Sequence, residues 1–554
     1  MDELKDDVFM NLKDYIQKKF EYVFVRITSD VPKFVGIDLV EYGPFKKGDV
    51  VKLPKENANL LLKNGYATQN IEEEKKELFF TFSKTYKIDY LVTENVKKVC
   101  EVFGIGLKQK EFPVFKAFFL KFKKGDIIYI TGSSGGGKTT LLKAMKSFLI
   151  EKGFKVVDFK EVDFRKDIPL IDVLMERGMS FKDALYYLNV SGLSEAYLYI
   201  RKFDELSDGQ KYRFKLAYAL SLNPEFIICD EFLTNLDRIQ ARVIAFTIQK
   251  FLRKKSIGGI FASTHLDIIE DLQPDFVIYK EFGSDVRVSL YNERRKSVSF
   301  YDKLEFQKGS ISDYKKLEFF HYKGSVSQYN EIYKCVLGDK LVGVIVIGHP
   351  TNLSLTPRNK VLKYLGLPYN DYSWVNENFR QILRVVVKPE FRSIGIGSFL
   401  VRKYLEVTNA TFVEILAAML KYSRFADKAG MVRIHFRSYR DEKYERIMTE
   451  FKRKFNLSEK DFLDVDLIKK VYKELKGEKR KEFERLLLEL RRRYSYIRGI
   501  DKHKNFDVKK ILENVDSLVR TDYAYLIWMN PRKTEFQKYY ERFKYFLEKK
   551  EVWL

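Results

Sequence analysis

The chain has 554 residues, 45% of them hydrophobic and 15% aromatic, with only 12 prolines and 29 glycines. That length exceeds what one hydrophobic core serves, so it predicts roughly three or four folded domains and excludes a largely disordered chain. With 101 Lys and Arg against 77 Asp and Glu, the formal net charge is +24; such a field attracts polyanions and points to nucleic acid, with a Lys/Glu-rich heat-adapted surface as the alternative. Cys100, Cys229 and Cys335 are scattered, and His265, His321, His349, His435 and His503 form no ligand pairs, so neither a disulfide framework nor a zinc site is expected. The acidic start MDELKDD is neither a signal nor a transit sequence. No apolar run nears the ~20 residues of a bilayer crossing, and LVGVIVIG at 341–348 is a strand pattern. A cytoplasmic protein without a transport channel of its own is the expectation.

A short amphipathic helix is predicted over about 3–19. Residues 20–71 then alternate short apolar runs with turns at Gly43-Pro44 and Lys47-Gly48-Asp49, and 54–65 has the pattern of a helix stopped by Gly65. The stretch YGPFKKGDVVKLPKENANLLLKNGYA resembles a small module of archaeal replication-associated proteins, including the GINS C-terminal domain. The resemblance implies that residues 1–74 form a β-rich module that docks a protein partner; a cap packed on the next domain is the alternative.

Residues 75–284 alternate strand and helix patterns, as a P-loop α/β domain does. The segment DIIYITGSSGGGKTTLLKAM is an apolar strand, a glycine-rich turn and a helix, and fits G-x-x-x-x-G-K-[ST] through Gly132, Gly137, Lys138 and Thr139. Gly132, Ser133, Gly135 and Gly137 let backbone N–H groups converge on phosphate oxygens, and the N-terminus of the helix that carries Thr140 adds its dipole. Lys138 is expected to neutralise β/γ-phosphate charge and Thr139 to ligate Mg²⁺. Leu206-Ser207-Asp208-Gly209-Gln210 precedes a helix, with Ser207 suited to capping it and Gly209 to close backbone approach. PEFIICDE is an apolar strand ending in Asp230, suited to the Mg²⁺ shell, and Glu231, suited to polarising the attacking water. Asp237 ends LTNLD, and His265 follows the strand pattern GIFAST.

In this order the elements resemble the ABC ATPases: LSDGQ the signature loop, LTNLD the D-loop, and His265 the switch histidine. The resemblance implies head-to-tail closure, in which Ser207, Gly209 and Gln210 of one copy cover the nucleotide held by the other, hence a homodimer with ATP and Mg²⁺ in two composite sites. The chain departs from that family in one place. No Gln lies between Lys138 and Gly209, where a metal-sensing glutamine is usual; Glu161 and Asp163 are the candidate substitutes.

Residues 285–554 have the pattern of a second α/β domain. LRVVVKPEFRSIGIGSFLVRKYL is a strand, a basic glycine loop and a helix, and Arg392-Ser393-Ile394-Gly395-Ile396-Gly397 matches [QR]-x-x-G-x-[GA]. Consecutive N–H groups opening a helix can hold a pyrophosphate. The pattern resembles the GNAT acyltransferases, as does KYSRFADKAGMVRIHF further on. The resemblance implies acetyl-CoA, or another acyl-CoA, held by Val386, Val387 and Arg392–Gly397. The usual acid tyrosine would fall at Ala426, and Tyr422, one turn earlier, is the substitute general acid. An ABC ATPase joined to such a domain resembles a family known mainly from archaea.

A charged helical block over about 458–514 separates this domain from the apolar strand YAYLIWMN at 523–530, which predicts an insertion. Within it Arg491, Arg492, Arg493, Tyr494, Tyr496, Arg498, Lys502 and Lys504 mix cations with aromatics, a pattern for phosphates and unpaired bases; a solvated helical face is the alternative. Together these features predict an ATP-gated transfer of an acyl group to nucleic acid. The competing expectations are an ATP-dependent nucleic-acid clamp with a non-catalytic second domain, and a protein acetyltransferase.

Overall fold

The computed structural model describes residues 22–38, 40–47, 49–68, 77–88, 91–104, 106, 110–321, 326, 328–350, 355–435, 439–493, 508–512, 515, 523–549 and 551–553. The expected opening helix at 3–19, the boundary at 74/75 and residues 494–507 of the basic–aromatic stretch lie outside them. The chain divides into two compact units, Met1–Asp126 and Ile127–Leu554.

In the first unit β1 (Tyr22–Ile27) pairs antiparallel with β2 (Val50–Pro54) and with β3 (Ala67–Thr68). Helix α1 (Lys55–Lys63) connects the last two and is packed on β1 through Ala58. A long hairpin follows, β4 (Glu77–Ile88) with β5 (Lys110–Lys123), carrying α2 (Glu94–Phe103) between its arms. The start of β4 keeps the period of two: Leu78 and Phe80 are buried while Phe79 between them is exposed.

Among the described residues the second unit holds two sheets. The first runs β11-β10-β6-β9-β8-β7, from β6 (Ile127–Thr131), β7 (Val156–Asp158), β8 (Phe226–Asp230), β9 (Gly258–Ala262), β10 (Phe276–Lys280) and β11 (Val286–Leu290). Strands β7, β8, β9, β6 and β10 are parallel and β11 is antiparallel. β6 and β9 are buried at every residue, which is why they are continuous apolar runs. Helix α3 (Lys138–Glu151) follows β6. Between β7 and β8 the chain forms a helical arm with α4 (Leu170–Met175), α5 (Phe181–Val190) and α6 (Asp208–Ser221), and α7 (Arg238–Lys255) lies between β8 and β9.

The second sheet runs β12-β13-β14-β15-β16-β18-β17-β19. Its strands are β12 (Leu304–Lys308), β13 (Glu331–Leu337), β14 (Lys340–Gly348), β15 (Phe379–Val387), β16 (Phe412–Ala417), β17 (Val432–His435), β18 (Ala524–Met529) and β19 (Glu551–Trp553). Strands β12 to β15 form an antiparallel meander, whereas β15 and β16 are parallel and joined over one face by α8 (Ile396–Val407). β18 enters between β16 and β17, antiparallel to both.

The helical block is threaded between β17 and β18 as α9 (Tyr439–Phe455), α10 (Val465–Glu474), α11 (Gly477–Arg493) and a short turn of helix, Val508–Leu512. It starts at Tyr439, earlier than the sequence pattern places it, because Tyr444, Ile447 and Phe451 of α9 share a core with Phe483, Leu486, Leu487 and Leu490 of α11. Among the described residues no helix is long and apolar enough to cross a membrane.

Candidate nucleotide site and glycine loop

Strand β6 delivers the chain to Gly132 at the carboxyl end of the parallel strands, and α3 begins at Lys138. Gly132 has φ +124, and a Cβ there would lie 2.1 Å from the Lys280 carbonyl oxygen, so only glycine lets the loop pass the end of β10. Gly135 and Gly137 also have positive φ, and Gly137 is the N-cap of α3, whose first turn carries Thr140. The Lys138 ammonium folds back over the loop, donating to the carbonyls of Gly132 (2.9 Å) and Ser133 (2.7 Å). Burial holds its pKa below the ordinary lysine value. The Ser133 hydroxyl donates to Glu281.

Two strands away, β8 ends at Asp230. The Thr139 hydroxyl donates to Asp230 Oδ2 at 3.0 Å, which sets two hard oxygen donors side by side, the type that Mg²⁺ takes. Glu231 follows with φ +55, exposed at the strand end. Among the described residues no group of three or more His, Cys, Asp or Glu is arranged as a metal cluster. His265 follows β9; its carbonyl accepts from the Tyr129 hydroxyl, and its N–H donates to Ser263 Oγ at 3.3 Å.

Ser207 and Gly209 open α6 on the arm. Leu206 is buried and Ser207 exposed, and the Ser207 N–H donates to Gln210 Oε1 at 3.0 Å, so Gln210 closes the first turn. Asp237 caps α7, its Oδ1 accepting from the N–H groups of Ile239 (3.0 Å) and Gln240 (3.3 Å).

The two candidate substitutes for the missing glutamine are engaged with other groups. Glu161 pairs with Lys146, and Asp163 accepts from the Phe164 N–H at 3.0 Å. Lys160, the residue before Glu161, reaches Asp230 instead, its Nζ 3.0 Å from Oδ2. That hydrogen bond raises the Lys160 pKa above the ordinary value. A search for a polar metal sensor in the sequence overlooks a cation, and nothing local marks Lys160 as facing a residue 70 positions on.

In the second sheet the ladder between β15 and β16 covers Phe379–Ile382 and Phe412–Ile415 only. Beyond it β15 continues to Val387 with partners on the β14 side alone, Val386 opposite Val344 and Val387 opposite Gly343. The two parallel strands therefore splay, and the opening lies at the glycine loop. There Ser393 has φ +71 and Gly395, the N-cap of α8, φ +95; a Cβ at Gly395 would meet nothing within 4 Å. Ile394 and Ile396 point into the core and anchor the loop, and Gly397 lies against the Phe425 ring.

The Arg392 guanidinium is engaged by three carbonyls: Nε with Val387 (2.9 Å), Nη1 with Ser194 (2.6 Å) and Nη2 with Phe320 (3.4 Å). Ser393 Oγ donates to the Asn189 carbonyl at 3.1 Å. Tyr422 is half exposed and meets Phe181 of α5 edge-on, ring centroids 5.4 Å apart. Ala426 is fully buried in the core below.

The chain is similar to known proteins in two places. Residues 23–70 match the Gins51 C-terminal domain family. The methionine import ATP-binding protein MetN of Clostridioides difficile is 27% identical over 207 residues, 32% of this chain, and the chain spans 63% of that relative's length. A protein of Methanosarcina mazei assigned as an ABC transporter ATP-binding protein is 32% identical over 354 residues, covering 52% of this chain and 70% of its own. The chain belongs to the ABC ATPase family. A solved dimeric bacterial ABC transporter cassette aligns with all of its own length and 39% of this ABC ATPase, at 18% identity and a TM-score of 0.30. The domain built on β6 to β11 is its ABC-type ATP-binding domain.

Proposed function

We propose that this ABC ATPase is an ATP-gated acyltransferase that works as a head-to-tail homodimer on a nucleic-acid acceptor. The observation that carries the transferase half is the splay of β15 from β16 beside the glycine loop. Among the described residues Val385 to Val387 have no ladder with β16, the Val387 carbonyl there accepting from Arg392 Nε at 2.9 Å, and an extended amide chain can add along that edge. Directly beyond it, the N–H groups of Ser393 to Gly397 open α8 and suit a pyrophosphate. An amide chain ending in a pyrophosphate is the shape of coenzyme A. Val386 and Val387 would pair with its amides, and the loop would take its phosphates.

At the ATPase site, Lys138 would hold the β/γ-phosphates and Thr139 with Asp230 would hold Mg²⁺, which neutralises phosphate charge when bound. Glu231 would take a proton from water as its oxygen bonds the γ-phosphorus and the bond to the β-phosphate oxygen breaks. His265 would contact the departing phosphate. Since Ser207 and Gly209 head a helix of the arm and the P-loop heads a helix of the core, the second copy's arm would complete each site. In the transfer, an acceptor amine nitrogen bonds the thioester carbonyl carbon and the carbon–sulfur bond breaks. The amine proton leaves to water, and Tyr422 protonates the thiolate and is reprotonated from solvent. The +24 net charge supports nucleic acid as acceptor, and the 23–70 module is assigned a protein partner.

Two observations favour a second reading, an ATP-dependent nucleic-acid clamp: Ala426 is buried where an acid tyrosine is expected, and Arg392 is held by carbonyls. Incubation with ATP, labelled acetyl-CoA and total nucleic acid or protein separates these. Label in RNA or DNA supports the transferase; label in protein makes it a protein acetyltransferase. No label, with ATP-dependent retention of nucleic acid, supports the clamp.

A further inference from the structure

The turn 189–195, at the end of α5, is tied to three parts of the second unit at once. To the signature helix it is tied by Arg213, which is almost fully buried: Nε donates to the Gly209 carbonyl (3.2 Å) and Nη1 to the Gly192 carbonyl (2.7 Å), 3.7 Å from the Glu195 carboxylate. To the core helix α7 it is tied by Thr247, whose hydroxyl donates to the Val190 carbonyl at 2.8 Å. To the glycine loop it is tied by Arg392 on the Ser194 carbonyl and Ser393 on the Asn189 carbonyl.

The backbone of Ser194 is held on both sides of its Cα. Its N–H side donates to Glu195 Oε2 at 3.0 Å, the carboxylate beside Arg213, and its carbonyl accepts from Arg392. Gly209 is therefore joined to Arg392 by a continuous run of hydrogen bonds and one ion pair that passes through two buried or half-buried arginines. The body of the second sheet is meanwhile fastened to α7. Val243 and Phe246 share its core with Val298 and Phe300, and Asp271, paired with Arg242, accepts from the Ser299 N–H and hydroxyl at 2.7 Å each. One domain thus holds the core through its body and the arm through its glycine loop. A displacement of Gly209 relative to α7 either carries the glycine loop with it or leaves buried polar groups unpaired, and the cost of the second favours the first.

We infer that Arg392 is a positioning residue that couples the signature loop to the glycine loop, so that a ligand at either site changes the affinity of the other. This rests on the proposed acyl-CoA site for the identity of the second ligand, not for the connection itself. Coupling of this kind is reciprocal, so CoA must alter nucleotide affinity by the factor with which nucleotide alters CoA affinity.

The test uses the full chain, a fluorescent non-hydrolysable ATP analogue with Mg²⁺, and CoA. In the unsubstituted protein, saturating CoA is expected to change the analogue's Kd at least ~5-fold. In Arg392→Met the change collapses towards 1-fold, and Arg392→Lys restores part of it. CoA that binds, seen by calorimetry, without moving the analogue's Kd overturns the coupling and leaves the acyltransferase reading standing. If CoA does not bind, that reading falls and a double-mutant cycle decides the coupling. Glu195→Gln and Arg392→Met are then each measured, alone and together, for analogue Kd and for unfolding midpoint, so that non-additivity in Kd with additive midpoints separates coupling from packing. Non-additivity of at least ~3-fold supports the connection, and additive effects overturn it.

Discussion

Arg392 and Ser194 are 198 positions apart, yet the guanidinium of one donates to the carbonyl of the other at 2.6 Å. A charged donor on a half-buried carbonyl is among the stronger hydrogen bonds a protein makes. Its consequence is that a loop read from sequence as a phosphate cradle is also the point where the second sheet grips the ATPase arm. The loop's one basic side chain serves that contact through the Ser194 carbonyl and also donates to that of Phe320.

Glu231→Gln is expected to lower ATP hydrolysis at least ~100-fold with nucleotide binding retained, as loss of a general base does. Lys138→Ala is expected to lose the binding itself. Phosphate release and titration with a fluorescent ATP analogue separate the two effects. Equal loss of binding in both variants would remove Glu231 from its assigned role.

Gly132→Ala is expected to destabilise the second unit by ~3 kcal/mol or more, since its Cβ would strike the Lys280 carbonyl and the backbone has φ +124. Gly283→Ala is the matched control, with φ +85 and nothing within 4 Å of the added methyl. There only the left-handed backbone is penalised, ~1–2 kcal/mol. Denaturation midpoints that shift equally would show that the close approach to β10 is not what fixes glycine at 132.

Arg358, Glu414 and Tyr525 are completely buried. The guanidinium takes both carboxylate oxygens of Glu414, one of which also accepts from the Tyr525 hydroxyl at 3.0 Å. Glu414→Gln leaves a buried cation without its counter-charge and is expected to cost ~3–5 kcal/mol, whereas Arg358→Met with Glu414→Leu is expected to be close to neutral. Thermal and chemical unfolding of the three proteins checks the order.

Burial pushes the thiols of Cys229 and Cys335 up from 9.0 to about 12, and Cys100 is partly exposed. Both buried groups are therefore neutral at pH 8, and a thiol reagent is expected to titrate one cysteine in the native protein and three after unfolding. The sign of the linkage follows. A raised thiol pKa favours the fold below pH 9.0, and that contribution is lost as pH climbs towards about 12. Rapid native reaction of two or three thiols would contradict the packing around β8 and β13.

The strand–loop–helix at Ile127–Glu151, the strand ending in Asp230-Glu231 and the helix opened by Ser207 were all legible in the amino-acid sequence. Each is a contiguous stretch in which backbone sterics and apolar runs act over a few residues: glycines where φ must be positive, unbroken apolar strands where both faces are covered. The same holds for the apolar strand and glycine loop at 379–397. Tertiary structure alone decided that Lys160 rather than Glu161 or Asp163 faces Asp230, and that β15 and β16 part after Ile382. It also decided that β18, separated from β17 by a helical block with its own core, lies between β16 and β17, and that Arg392 holds Ser194. These relationships join residues tens to hundreds of positions apart. They follow from how whole layers pack and from which buried polar groups must find partners, and no local spacing records that.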